Sequence, residues 1–216
     1  MIDWLLLQMA DSAFPTGGFA HSAGLEAAIQ QGEVSEGGVA AWARQNIWQT
    51  SFFALPFVGA AHDAPRDLAV LDRRCDAFLN NPISNRASRR QGRAFIAVCA
   101  QAFGGRRLNR WAENETLRLH HAPAFGAVCA ELGATRFDAQ RVYLFATARS
   151  GLSAAVRLGL IGPLENQRLQ SALAPVLDAA LARGAQISLD DAAQTAPVLD
   201  ILQGAQDRLY SRLFQS

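Results

Sequence analysis

Asp67-Leu-Ala-Val-Leu-Asp-Arg-Arg-Cys-Asp-Ala-Phe-Leu-Asn80 sets Leu68, Leu71, Cys75, Phe78 and Leu79 on one face of a 3.6-residue helix. Cys75 lies on the apolar side and reads as a small core residue. Asn80-Asn81-Pro82 ends the helix. Working outward, the same period recurs. Towards the C-terminus a helix runs from Ser84 to Phe103, with Ala94, Val98, Cys99 and Ala102 as its buried side and Gly104-Gly105 as its stop. A short helix follows over Asn109–Leu119. The next carries Phe125, Val128, Cys129 and Leu132 to Gly133, and Asp138 can cap the one after it, which carries Val142, Phe145, Leu152, Ala155 and Leu158. Pro163 sits at a natural first helical position, Pro175 predicts a kink before Gly184, and a last helix starts near Pro197.

Towards the N-terminus, Val39, Trp42, Ala43, Ile47 and Thr50 mark a helix that starts near Ser35 and Glu36, and Pro56 should kink or end it. Two shorter helices precede it, over residues 2–11 and about Phe19–Gln30. No alternating strand pattern, repeat or low-complexity linker appears. The expectation is an all-α fold: a single globular, bundle-like domain over residues 1–216, with about eight to ten helices and short joints.

Composition narrows the chemistry. Half of the 216 residues are hydrophobic and the formal net charge is +1, so no whole-protein field argues for nucleic acid or a membrane. All 20 basic residues are arginine, which excludes Schiff-base lysine chemistry and a phosphate-loop lysine. Cys75, Cys99 and Cys129 fit no metal or redox spacing, and the first residues lack a signal-peptide pattern, so a cytoplasmic protein is expected. His21, His62, His120 and His121 form no metal motif; the adjacent pair 120–121 reads as an exposed helix terminus.

Three stretches stand apart from the helical pattern. The first is Asp11-Ser-Ala-Phe-Pro-Thr-Gly-Gly-Phe-Ala-His-Ser-Ala-Gly-Leu-Glu26. Pro15 fixes its own φ, and Gly17 and Gly18 permit positive φ or a close backbone approach. The stretch is either a helix connector or a rigid loop presenting backbone, with Phe19, Ser22 and Glu26 as the face to offer a neighbour. Asp11, Ser12, His21 and Ser22 could also make a Ser–His pair for acyl transfer, though no Gly-x-Ser-x-Gly elbow is present. The second is the stripe Arg86, Arg89, Arg90 and Arg93, within a segment (84–118) that holds eight arginines against two glutamates. It is either a solvated helix face or a surface for something acidic. The third is Asp207-Arg-Leu-Tyr-Ser-Arg-Leu-Phe-Gln-Ser216, rich in residue types that anchor interfaces.

These stretches, with His120–Gly133 and Ser153–Gln167, resemble the urease accessory protein UreF family in order and spacing over essentially the whole chain. The resemblance implies an all-α, non-catalytic homodimer. It implies binding to UreD (also called UreH), recruitment of the GTPase UreG, and delivery of nickel to apo-urease. No cofactor is bound directly; nickel and GTP enter through the partners. The signature loop maps onto Pro15, Gly17, Gly18, Phe19, Ser22, Gly24 and Glu26. The partner-binding segment maps onto Tyr210, Ser211, Arg212, Leu213 and Phe214, with Arg212 as its central contact. A small helical hydrolase using Ser12 and His21, and a generic helical adaptor, are the competing readings.

Overall fold

A computed structural model describes residues 4–216. Positions 2 and 3 of the expected first helix lie outside the described residues. Eleven α-helices occur in order among them, and no strand. They are α1 (Trp4–Ala10), α2 (Leu25–Gln30), α3 (Val39–Asp63), α4 (Leu68–Phe78), α5 (Pro82–Phe103), α6 (Arg106–Glu113), α7 (His121–Glu131), α8 (Arg136–Arg157), α9 (Pro163–Ala172), α10 (Ala174–Gly184) and α11 (Pro197–Gly204). The count exceeds ten because the stretch around Pro175 is two helices that meet at Leu173, not one kinked rod.

The centre of the fold is α3, which packs most extensively on α7 and α8 and also meets α4 and α10. Ile47, Leu55, Phe57 and Val58 of α3 are fully buried. Each such side chain contributes about 1.5–3 kcal/mol by leaving water. A Cβ at Gly126 would lie 2.1 Å from the Val58 carbonyl oxygen, so α7 crosses α3 backbone to backbone. One cluster of buried apolar side chains runs from Leu6 to Phe214 and includes Cys75, Cys99 and Cys129.

Several boundaries differ from expectation for local reasons. Pro56 does not end α3, because the Phe52 carbonyl it frees accepts the Ala193 N–H instead at 3.1 Å. Helix α2 begins at Leu25, not Phe19: Ala23 and Gly24 both have positive φ, and Phe19 lies in a 3₁₀ turn over Gly18–Ala20. Thr135, not Asp138, caps α8; its hydroxyl accepts the Asp138 N–H at 3.1 Å and donates to Asp138 Oδ2. In α5 the buried side is Gly92, Phe95, Ile96 and Cys99, while Ala102 is exposed. Helix α6 ends at Glu113, so 114–120 is an irregular strap.

That strap corrects the reading of His120 and His121 as an exposed terminus. His120 is wholly buried. Asp72 of α4 accepts three successive backbone N–H groups, from Arg118 (2.7 Å), Leu119 (3.0 Å) and His120 (2.7 Å). Leu119 is held at φ +60°, and its carbonyl presses on α5 where a Cβ on Gly92 would come within 1.9 Å. The His120 ring spans Ser88 and Asp76, at 3.1 Å each. A carboxylate only accepts, so neutral His120 carries its proton on Nε2 and accepts the Ser88 hydroxyl at Nδ1. Burial lowers the pKa of His120, against the hydrogen bond to Asp76.

Candidate functional site

The two signature stretches at opposite ends of the sequence meet. Residues 20–26 and 206–216 are joined along their backbones: the Gln215 N–H donates to Ala20 O at 2.8 Å, and the Ser22 N–H to Ser216 O at 2.5 Å. The Ser22 hydroxyl donates to the same oxygen at 2.9 Å. Positive φ at Gly24 turns the chain so that α2 starts at once, and α11 then packs so close that a Cβ there would sit 2.9 Å from Gln203 Cβ. Glu26 therefore points back across the junction. Its carboxylate accepts the Leu213 N–H (2.6 Å), the Phe214 N–H (3.0 Å) and the Gln206 amide (2.6 Å). Only 2% of Glu26 is exposed, so these three donors stand in for its lost water. Phe214 is buried under the Arg157 guanidinium, 4.4 Å from the ring centre.

The candidate residues are divided between buried and exposed positions at this junction. The face of Phe19, Ser22 and Glu26 does not point outward as one surface. Phe19 is 74% exposed, but Ser22 and Glu26 are buried, and the neighbour they meet is the chain's own C-terminal segment. Among Tyr210–Phe214, Tyr210, Ser211, Arg212 and Leu213 are exposed, while Phe214 is an internal anchor. Pro15 is exposed; Gly17 has φ +73° as its type permits, yet nothing lies within 4 Å of a Cβ there, so the expected close approach belongs to Gly24. Gly18 donates to Thr16 Oγ1 at 3.4 Å.

The arginine stripe is not a purely solvated face. Arg86 binds both oxygens of Asp207 (2.9 and 3.0 Å), Arg90 binds the Gln215 side chain (2.7 Å), and Arg93 binds the Leu117 carbonyl (2.9 Å). Arg89 is half-buried. Arg212 shares Asp207 Oδ1 at 2.9 Å. Arg86 and Arg90, one turn apart on α5, thus hold the C-terminal segment together with Glu26.

The Ser12–His21 pair does not form. Ser12 is exposed and bonds Asp11, while His21 Nδ1 lies 2.7 Å from Ser216 Oγ. Burial lowers His21 to about 4, helped by Arg90 and Arg86. His121 is likewise lowered to about 4 by burial, with His21 adding to it. Both rings, with Ser88, Tyr143 and Ser216, line a cavity of about 470 Å³ beneath the 11–19 loop. Among the described residues no group of three or more His, Cys, Asp or Glu could hold a metal ion, and no helix is long and apolar enough to cross a membrane. Sequence reasoning missed Glu26 as the receptor for residues 213–214 and Asp72 as the clamp on 118–120. The usable signal was a carboxylate inside an apolar helical run.

The family model for UreF matches residues 34–174. A protein named Urease accessory protein F from Arabidopsis thaliana is 39% identical over all of this chain and 93% of its own length. One of the same name from Oryza sativa subsp. indica is 38% identical over 98% of this chain and 84% of its own length. A protein named Urease accessory protein UreF from Trichodesmium erythraeum is 28% identical over 97% and 94%. The family model stops short of both joined ends, but the Arabidopsis thaliana match, over all of this chain, runs through them. With more than half its length matched by the model and near-complete relatives above 30% identity, the chain belongs to the UreF family of urease accessory proteins.

Proposed function

We propose that this chain acts in urease maturation as a non-catalytic, dimeric cytoplasmic scaffold. With UreD it recruits the GTPase UreG, and the assembly passes nickel, as cargo, to apo-urease in a GTP-dependent step. Family membership supports the pathway. The observation that carries the surface is the C-terminal segment, fixed by Glu26 and Phe214 yet presenting Tyr210, Arg212 and Leu213 outward.

The scaffold would act by differential binding: it favours one nucleotide state of the GTPase, and that state favours the assembly equally in return. Arg212 gives a fork of N–H donors for a partner carboxylate. Its pair with Asp207 is 44% exposed on the arginine side, so exchanging that carboxylate for a partner's costs little. Loss of a hydrogen-bonded ionic contact at a closed interface costs about 1.5–3 kcal/mol. The test is a pull-down and urease-activation assay with Arg212→Ala. Loss of GTPase recruitment by a folded variant is the expected result; normal recruitment and activation would refute the assignment.

A further inference from the structure

Between α5 and residues 207–215 lies a notch of about 460 Å³. Arg86, Arg90 and Arg212 converge on it. They share one carboxylate. Asp207 takes Arg86 through both oxygens and Arg212 through Oδ1, while Arg90 donates to the neutral amide of Gln215. Three guanidiniums against one carboxylate leave an excess of two positive charges in a chain whose total is +1. Each guanidinium carries five N–H donors, and the bonds to Asp207 and Gln215 engage one nitrogen of each. The excess is felt inside the protein too, since Arg90 and Arg86 help to keep His21 neutral.

We propose that this notch docks an acidic segment of a protein partner, with Arg90 and Arg212 as its contacts and Asp207 as an internal carboxylate that holds part of the site in the free chain. The geometry with which Asp207 already sits there shows that a carboxylate fits. The rim argues for protein over nucleic acid. Leu213 is 54% exposed beside the arginines, and no row of stacking aromatics follows them. The partner's identity rests on the scaffold role proposed above; the chemistry of the notch does not.

The experiment is fluorescence anisotropy of a labelled hexaglutamate peptide with the full chain at about 10 mM salt, where charges are felt out to about 30 Å before screening removes them. Arg90→Gln should weaken binding about threefold, the range of one exposed charge pair. Asp207→Asn should strengthen it by a similar factor, a gain that misfolding does not produce. Unchanged affinity in both folded variants, or weaker binding in Asp207→Asn, would overturn the proposal. So would a duplex oligonucleotide displacing the peptide more readily than unlabelled hexaglutamate does. A pull-down of the GTPase in the presence of UreD separates the two readings. Wild type that binds peptide as predicted but recruits no GTPase defeats the scaffold role and leaves the notch. GTPase recruitment with indifferent variants in both assays defeats the notch alone.

Discussion

Two irregular segments of this molecule are held by one buried carboxylate each, and the comparison separates architecture from display. Asp72 takes three N–H groups of the 118–120 strap; Glu26 takes two N–H groups and one amide of the 206–214 segment. Both carboxylates are almost wholly buried. What differs is the flank. The strap has Leu117 and Leu119 in the core, Gly92 directly beneath it, and α7 starting at its end. The C-terminal segment buries Gln206, Phe214 and Ser216, with Phe214 its one apolar anchor, and four of its residues in a row, Tyr210–Leu213, are exposed. The strap cannot leave without opening the core. The C-terminal segment, with Phe214 its one core anchor, is expected to open locally and rehydrate its own amides, as the binding element proposed above requires.

Breaking the strap should have the largest effect. Gly92→Ala drives a methyl into a backbone carbonyl, and Asp72→Ala strips three buried N–H groups of their acceptor. Each should cost about 3 kcal/mol or more in denaturant unfolding. Glu26→Ala should cost less, about 1–2 kcal/mol, because the loss is capped by the docking energy of residues 206–216. Its signature is protease cleavage near Tyr210 without a matching fall in global stability. If Glu26→Ala proves as damaging as Asp72→Ala, the contrast fails.

Acid sharpens the comparison from another side. His21 and His121 are lowered to about 4 from an ordinary value near 6.5, and His120 is lowered too. A depressed folded pKa means that the unfolded chain binds more protons between these values. Stability is therefore full above pH 6.5 and lost as the pH falls towards 4, by roughly 2–3 kcal/mol for each of His21 and His121. The melting temperature should fall across that window, and His21→Asn should flatten the part of the fall that accompanies release of the C-terminal segment. An effect no larger than that of Glu26→Ala is expected for Gly17→Val. The site has open space but φ +73°, so the cost is conformational, about 1–2 kcal/mol by thermal melting.

The helices were legible because α3, α4, α5 and α8 bury stripes at helical spacing, and Pro and Gly mark most of their ends. Pro56 misleads because the neighbour that satisfies the freed carbonyl, Ala193, is 141 positions from Phe52 and joins it only in three dimensions. His120 and His121 look like a polar terminus because their partners Asp76 and Ser88 are spread over α4 and α5. The signature loop and the last ten residues both stood out, but no local pattern says that they touch. Glu26 sits in a run of buried Leu and Ala, and a carboxylate there demands donors; only the fold shows that they come from residues 206, 213 and 214.

Amide hydrogen exchange at two pairs of residues tests the central claim most directly. The Leu119 and His120 amides should exchange only through global unfolding, while those of Leu213 and Phe214 should exchange through a local opening that is much faster. Glu26→Gln should accelerate only the second pair. Equal, globally limited exchange at both pairs, unmoved by Glu26→Gln, would contradict the account.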